Sequence, residues 1–176
     1  MQTQEALSVR TGGGANPVRS EERAGKYLTF RLGREEFAIQ VLKVREIMGM
    51  QDITEVPHTP AYVKGVINLR GKVIPVVDLR LKFGLPEAPY DHRTCIIVVQ
   101  IQGPGTPILT GIVVDAVSEV LNIAASEIDD TPDFGDGVET PYLLGMAKTK
   151  GKVKILLDID SVLTAQELQG LPSLVQ

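Results

Sequence analysis

The sequence predicts a mainly β protein made of two similar units, because one stretch of it is written twice. Residues 65–79 read GVINLRGKVIPVVDL and residues 145–159 read GMAKTKGKVKILLDI. Sliding one copy onto the other superimposes a central Gly-Lys-Val and places Asp78 on Asp158. Each copy has the pattern of a strand, a turn at glycine, a second strand and a closing aspartate.

A weaker repeat lies upstream of the first in both halves of the chain. FAIQVLKVREI at residues 37–47 resembles GIVVDAVSEVL at residues 111–121, with Glu46 over Glu119. Two matches in the same order favour internal duplication over chance. A chain of 176 residues is one large domain or two small ones, and two β units of this size predict two small barrels or sheets packed together.

The first unit is expected to begin at Lys26. Residues 1–25 mix Gly, Ser, Pro, Arg and Glu without a hydrophobic period, which predicts a flexible tail. YLTFRLG alternates in part and is rich in strand-forming residues, and FAIQV continues as the next strand after a turn. LKVREIM is either a short helical turn or a continuing strand, since its apolar spacing fits both.

The first unit is expected to close with a hairpin. GVINLRG and KVIPVVDL are two strands joined at or beside Arg70 and Gly71. Pro75 has no backbone N–H, so its strand is expected at a sheet edge or bulged at that point. LRLKFG is expected to form one helical turn before a connecting loop at residues 84–93.

The second unit repeats this order. RTCIIVVQI and PILTGIVVD are strands around a Gly-Pro-Gly turn, AVSEVL follows, and residues 131–141 form a long polar loop before the second hairpin. DIDSVLTAQELQG then predicts a C-terminal helix over residues 158–169. Asp158 or Asp160 is its expected cap, and Gly170 its stop.

Composition argues against several classes of function. The net charge of −4 and the lack of a basic stripe argue against nucleic-acid binding. The single cysteine, Cys95, lies in a buried-strand pattern and excludes an internal disulfide or a cysteine-based zinc site. The N-terminal segment lacks the apolar region of a signal peptide, and no stretch reaches the roughly 20 apolar residues of a membrane span. We therefore expect a cytoplasmic protein that does not insert into the membrane.

Motifs that carry catalytic chemistry are also missing. His58 and His92 sit in loops without a partner at metal-ligand spacing. No nucleophile elbow, phosphate-binding loop or zinc-protease motif occurs. Asp158 and Asp160 are better explained as a helix cap than as an acidic site. We predict no catalytic residue, no metal and no cofactor.

Two side chains on turns are the candidates for binding a partner. Arg70 is expected to project from the hairpin turn, either as an ordinary solvated arginine or as a contact residue. Phe134 stands in a loop of Asp, Gly and Pro. It either folds back onto the core or anchors a partner, since aromatic residues are frequent interface anchors.

These residues resemble a known family. YLTFRLGREEFAIQVLKVREI, TPAYVKGVINLRGKVIPVVDLRLKFG, GIVVDAVSEVL and LLDIDSVL are similar to the CheW-like domain of bacterial chemotaxis coupling proteins. The G-x-x-N-L-R-G-x-x-x-P-x-x-D-L run is highly specific to that domain. The resemblance implies a CheW-like domain over residues 26–170, made of two SH3-like five-stranded β-barrels side by side. The barrels are expected over about residues 26–84 and 93–157.

The resemblance also implies a function. Members of this family are non-enzymatic adaptors that join the cytoplasmic tips of transmembrane chemoreceptors to the regulatory domain of the histidine kinase CheA. It implies recruitment to membrane-associated receptor arrays, with a receptor-binding groove between the barrels and a kinase contact on each barrel. The implied receptor-binding positions are Val44, Glu46, Gly65, Arg70, Gly111 and Val120. The implied kinase-binding positions are Val41 on the first barrel and Phe134 on the second.

Two alternatives remain open from the sequence. A similar adaptor in a parallel receptor–kinase pathway, such as one for surface motility, would carry the same motifs. An enzyme or a ligand-binding barrel would instead need a deep polar pocket with several titratable groups.

Overall fold

A computed structural model describes residues 23–103, 105–132 and 140–163, and these form two β sheets. The strands in chain order are β1 (Gly25–Leu32), β2 (Glu35–Gln40), β3 (Val44–Gly49), β4 (Val63–Leu69), β5 (Lys72–Asp78), β6 (Cys95–Ile101), β7 (Ile108–Val114), β8 (Ala116–Ile123), β9 (Ile128–Asp129), β10 (Leu143–Thr149) and β11 (Lys152–Leu157). The short helices are α1 (Leu79–Lys82) and α2 (Ile159–Val162), with 3-10 turns at Val41–Lys43 and Ala125–Glu127. The predicted mainly β class is confirmed.

Each sheet is built from both halves of the chain. Sheet A has six strands in the order β8-β1-β2-β11-β10-β9, and sheet B has five in the order β3-β6-β7-β5-β4. Each sheet therefore takes strands from both sides of the division expected between residues 26–84 and 93–157. Hairpin β1–β2 lies in sheet A among strands of the second half, and β6–β7 lies in sheet B among strands of the first.

Strand pairing explains how each of these hairpins comes to lie in the sheet of the other half. β2 pairs in parallel with β11, and β7 pairs in parallel with β5. Parallel neighbours need a long crossover connection, whereas antiparallel neighbours can be joined by a tight turn. The first hairpin of each unit therefore completes the sheet of the other unit.

The internal repeat seen in the sequence corresponds to two sheets of equivalent topology. If β1, β2, β3, β4 and β5 are matched with β6, β7, β8, β10 and β11, the two sheets have the same strand order, and β9 is an addition to sheet A. Equivalent irregularities in register occur before Gly65 in β4 and before Gly145 in β10. The repeat is thus preserved in backbone detail as well as in sequence.

The largest apolar core lies between the two sheets. Leu28 and Phe30 of β1 are buried in it together with Ile97 of β6. The adjacent residues face the other way, with Tyr27 in a smaller core within sheet A and Ile96 in one within sheet B. Successive side chains of a strand point to opposite faces, so β1 and β6 are buried on both faces. The almost continuous apolar sequence of β6 follows from this placement.

The two hairpin turns share an uncommon backbone conformation. Arg70 and Lys150 have φ angles of 49° and 53°, and Gly71 and Gly151, which follow them, have φ angles of 86° and 75°. Two consecutive positive φ values are typical of a type I′ hairpin turn. In the first turn the Gly71 N–H donates to Asn68 Oδ1 at 2.8 Å. The prediction that Arg70 lies at a hairpin turn is confirmed.

Two segments differ in part from expectation. LKVREIM contains both of the structures left open for it, since the 3-10 turn at Val41–Lys43 leads directly into β3. β5 lies between β7 and β4, and the register irregularity of the β4–β5 pair falls at Val63/Gly65, so neither the sheet edge nor the bulge expected at Pro75 is found there. The ladder to β7 starts only at Val76, so the missing N–H of Pro75 lies outside it.

An aspartate caps the helical turn after each long hairpin. The Asp78 side chain accepts hydrogen bonds from the backbone N–H of Arg80 at 2.9 Å and of Leu81 at 3.4 Å. The Asp158 side chain accepts from the N–H of Asp160 at 3.2 Å. These bonds satisfy N–H groups that a helix start leaves unpaired. The predicted C-terminal helix does begin after Asp158, and its part from residue 164 onward lies outside the described residues.

Candidate partner-binding surfaces

Arg70 forms an ion pair with Glu46 of β3. Its Nη2 lies 2.5 Å from Glu46 Oε1, and its Nη1 lies 3.4 Å from Oε2. The side chain of Arg70 is 72% exposed, against 29% for Glu46. The hydrogen bond from Arg70 lowers the pKa of the Glu46 carboxyl, and the same bond raises the pKa of Arg70. The turn thus presents the guanidinium to solvent while the carboxylate fixes its direction.

This ion pair joins opposite edges of sheet B. Glu46 lies on β3, which is one end of the strand order, and Arg70 lies in the turn between β4 and β5 at the other end. The sheet must curl for these edges to meet. Two of the six residues implied for receptor binding are therefore in direct contact, although 24 positions separate them.

An equivalent ion pair exists on sheet A and was not among the sequence predictions. Lys150 Nζ lies 3.0 Å and 3.2 Å from the two carboxylate oxygens of Glu119. Lys150 is the repeat counterpart of Arg70, and Glu119 is that of Glu46. The signal was available, because the repeat alignment puts a cation in the second turn and an acid on the strand that faces it.

Exposed apolar side chains occur at equivalent places beside both pairs. Ile47 and Val73 are each 46% exposed in sheet B, and Val120 and Val153 are 56% and 54% exposed in sheet A. Single exposed apolar residues are normal on a protein surface, but several of them around one feature indicate a binding surface. Of these four, only Val120 was among the implied binding positions, and its exposure leaves it available to a partner.

Gly65 and Gly111, both implied for receptor binding, are packing positions. A Cβ on Gly65, which has a φ of 142°, would lie 2.0 Å from the carbonyl oxygen of Thr54. A Cβ on Gly111 would lie 2.8 Å from Cγ2 of Ile96. Neither contact can be accommodated without movement. A substitution at either glycine would therefore disturb the packing of sheet B.

The implied kinase-binding position Val41 is half-buried and packs against the core between the sheets. Its neighbour Leu42 is 94% exposed. Lys43, the last residue of this 3-10 turn, forms an ion pair with Asp160 at 2.6 Å, which ties the turn to α2. Leu42 is therefore the side chain that this turn offers to solvent. The other implied kinase-binding residue, Phe134, lies outside the described residues.

Val44 begins β3 and is also half-buried against the core between the sheets. The structure thus divides the implied receptor-binding residues. Glu46 and Arg70 meet in one ion pair, Val120 lies exposed on the other sheet, and the remaining three are wholly or partly buried.

Within the described ranges no group of three or more His, Cys, Asp or Glu side chains could hold a metal ion. The described helices are too short to cross a membrane.

The fold and its paired turns define a CheW-like domain, and comparison with known sequences agrees. The sequence model of the CheW-like domain matches residues 26–167. A chemotaxis protein CheW of Klebsiella aerogenes is 41% identical over 143 residues, which are 81% of this chain and 84% of that protein. A chemotaxis protein CheW of Rhizobium meliloti is 39% identical over 143 residues, covering 81% and 90% respectively.

A solved structure shows the same architecture. The crystal structure of the scaffolding protein TtCheW from Thermoanaerobacter tengcongensis aligns with a TM-score of 0.73 and 32% identity, covering 85% of this chain and 99% of that one. The chain belongs to the CheW family, as the sequence motifs indicated. Its role is that of an adaptor in chemotaxis signalling.

Proposed function

We propose that this chain couples chemoreceptors to the histidine kinase CheA, and that Arg70 is the central receptor contact. The ion pair with Glu46 carries the proposal. The pair holds an exposed guanidinium in one orientation at a turn whose backbone is itself constrained. Such preorganisation lowers the entropy lost when a flexible side chain is fixed by a partner.

The geometry favours binding over folding as the role of Arg70. An ion pair between exposed groups contributes little to stability, because water and salt screen it. A type I′ turn would also be formed more readily by glycine or asparagine than by arginine at this position. The exposure of Arg70 and its fixed direction at a constrained turn support recognition of a partner as its role.

The kinase is proposed to bind a different surface. The 3-10 turn at Val41–Lys43 presents Leu42 almost fully to solvent. The ion pair of Lys43 with Asp160 holds this turn against α2. An adaptor that links two partners into a repeating array needs two distinct faces, because head-to-tail assembly uses different patches on each copy. Val41 supports this turn from the core side, and Phe134 remains the proposed second kinase contact.

The adaptor is proposed to act by binding alone, at receptor arrays on the cytoplasmic side of the membrane. The relatives reported above are named for chemotaxis, and this supports chemotaxis over the alternative of a parallel motility pathway. Nothing in this proposal requires a cofactor or a nucleic acid.

A pulldown with two separate baits tests the proposal. Purified chain is mixed with a receptor cytoplasmic fragment or with CheA, and the bound fraction is measured for the unmodified chain, Arg70→Ala, Lys150→Ala and Leu42→Glu. Lys150→Ala is the matched control, since it removes the equivalent cation from the equivalent turn. We expect Arg70→Ala to lose the receptor only and Leu42→Glu to lose CheA only. Failure of the unmodified chain to bind either bait would overturn the proposal.

A further inference from the structure

A cavity of about 450 Å³ opens where the two sheets meet. Its wall comes from the end of β1, from the start of β6 and from the start of β8, and consists of Arg31, Arg93, Cys95, Ala116, Val117 and Ser118. β1 and β8 belong to sheet A, whereas β6 belongs to sheet B. The cavity is distinct from the turn that carries Arg70, and none of its residues was singled out for binding.

Both charged side chains in this wall are cations with unused hydrogen-bonding capacity. Arg31 donates one long bond, from Nη2 to the carbonyl oxygen of Gly33 at 3.3 Å. Arg93 is exposed, and its guanidinium has no ion pair or hydrogen bond among the described residues. The nearby Asp91 accepts the backbone N–H of Arg93 at 2.8 Å, but Asp91 is not part of the wall.

The other acidic groups close in sequence to the wall are already engaged. Asp115 accepts two bonds from Arg80, at 2.9 Å from Nε and 2.7 Å from Nη2, and a third from the N–H of Gly33 at 2.7 Å. Glu119 is paired with Lys150. Glu36 of β2, which lies directly opposite Arg31, is paired with Lys154. The charges of these three carboxylates are therefore largely neutralised by their partners.

We propose that this cavity binds an oxyanion, the carboxylate or phosphate group of a small ligand. A guanidinium offers a planar fork of N–H donors that matches such groups. Two of them, one from each sheet region, can grip one anion between them, and the hydroxyl of Ser118 supplies a further donor. Arg70 and Leu42, the receptor and kinase contacts proposed above, are not among its wall residues.

Cys95 provides a reporter inside the cavity. It is the single cysteine of the chain and is half-buried, so any thiol modification reads out this one place. The rate of its thiol–disulfide exchange is measured with dithionitrobenzoate, which is anionic, and with dithiodipyridine, which is neutral. In each case the thiolate attacks the disulfide and releases one aryl thiolate. A change in the exposure or acidity of the thiol affects both rates alike. The ratio of the two rates therefore measures the preference of the cavity for an anionic reagent.

We expect Arg93→Gln to lower this ratio by roughly two- to five-fold, the range that one exposed charge pair contributes, and Arg93→Lys to retain most of it. Arg45→Gln is the matched control, because Arg45 is exposed on β3 and lies outside the wall. Inorganic phosphate and citrate, added at constant ionic strength, should slow the anionic reagent in the unmodified chain. Whichever protects at lower concentration identifies the preferred group.

Two results would overturn the proposal. One is an unchanged rate ratio in Arg93→Gln, or an equal fall in Arg45→Gln, which would show a general effect of net charge. The other is the lack of protection by either anion. The outcome is separate from that of the pulldown, since neither bait is present in this assay.

Discussion

Lys154 and Glu36 form an ion pair in the interior of sheet A, with Nζ 3.0 Å from Oε1. Lys154 lies on β11 and its side chain is 3% exposed, whereas Glu36 lies on β2 and is 19% exposed. The pair thus links the exchanged hairpin of the first half to the second half. At the equivalent place in sheet B the repeat has apolar residues, Ile74 and Leu109, which belong to one apolar cluster.

Lys154→Ala is expected to destabilise the fold by roughly 3 kcal/mol, because it leaves the Glu36 carboxylate poorly solvated and without its partner. Chemical denaturation monitored by circular dichroism measures this change. The double variant Lys154→Ile with Glu36→Leu introduces the residues found at the equivalent places in sheet B. It is expected to be neutral or stabilising, because a buried ion pair seldom contributes more to the stability of the fold than well-packed apolar residues of similar size. A double variant less stable than Lys154→Ala would contradict the equivalence of the two sheets.

Gly65→Ala is expected to cost about 3 kcal/mol, because the added Cβ meets the Thr54 carbonyl oxygen and the φ of 142° is strained for alanine. Gly49→Ala is the control, since a Cβ there meets no atom within 4 Å and its φ is not positive. Thermal unfolding of both variants checks the prediction. If Gly65→Ala lost receptor binding at unchanged stability, Gly65 would be a contact residue and the packing account would be wrong.

Tyr27 makes the fold sensitive to alkaline pH. Its hydroxyl donates to the carbonyl oxygen of Arg23 at 2.6 Å, and burial raises its pKa from 10.0 to about 12. A group whose folded pKa is raised contributes stability in full below its unfolded pKa, and loses it as pH rises through the folded value. The stability difference between the unmodified chain and Tyr27→Phe should therefore be constant below pH 10 and shrink between pH 10 and 12. A constant difference throughout would show that the pKa of Tyr27 is the same in the folded and the unfolded chain, so that burial does not raise it.

Leu42→Glu is expected to abolish CheA binding without unfolding the chain. Leu42 is 94% exposed, so a glutamate there is ordinary in the free protein, yet it would be buried without a partner on assembly. Val41→Glu would be a poorer test because Val41 packs against the core, and its loss of binding could reflect misfolding. Titration calorimetry with CheA measures the affinity, and normal binding by Leu42→Glu would exclude this turn as the contact.

Much of the local structure was readable from the sequence. The repeat predicted the two hairpins, the position of Arg70 at a turn, and the helical turns after Asp78 and Asp158, since all of these depend on residues close together in the chain. The same repeat suggested that each unit forms its own barrel. It could not show that hairpins β1–β2 and β6–β7 each lie in the sheet of the other unit. The alternation of apolar and polar residues along a strand is the same whether the strand pairs within its own unit or with the other one.

The contacts made by the candidate binding residues were predictable only in part. Arg70 and Glu46 were singled out, but their contact across the edges of sheet B is a tertiary feature that spacing does not reveal. The pair of Lys150 with Glu119 could have been found by extending the repeat to charged residues. The exposure of Leu42 in preference to Val41 depends on the 3-10 turn, which apolar spacing leaves undecided between helix and strand.

The most direct test of the account is receptor-coupled kinase activity reconstituted with CheA and a receptor fragment, comparing Arg70→Ala with Lys150→Ala. Both variants lose one exposed cation from an equivalent turn, and each is expected to change stability by less than ~0.5 kcal/mol as a surface substitution. We predict that Arg70→Ala reduces kinase stimulation by tenfold or more, on the order of the 1.4 kcal/mol or more that a central interface residue contributes, while Lys150→Ala retains stimulation. Equal activity of the two variants, with both folded, would contradict the assignment of Arg70 as the receptor contact.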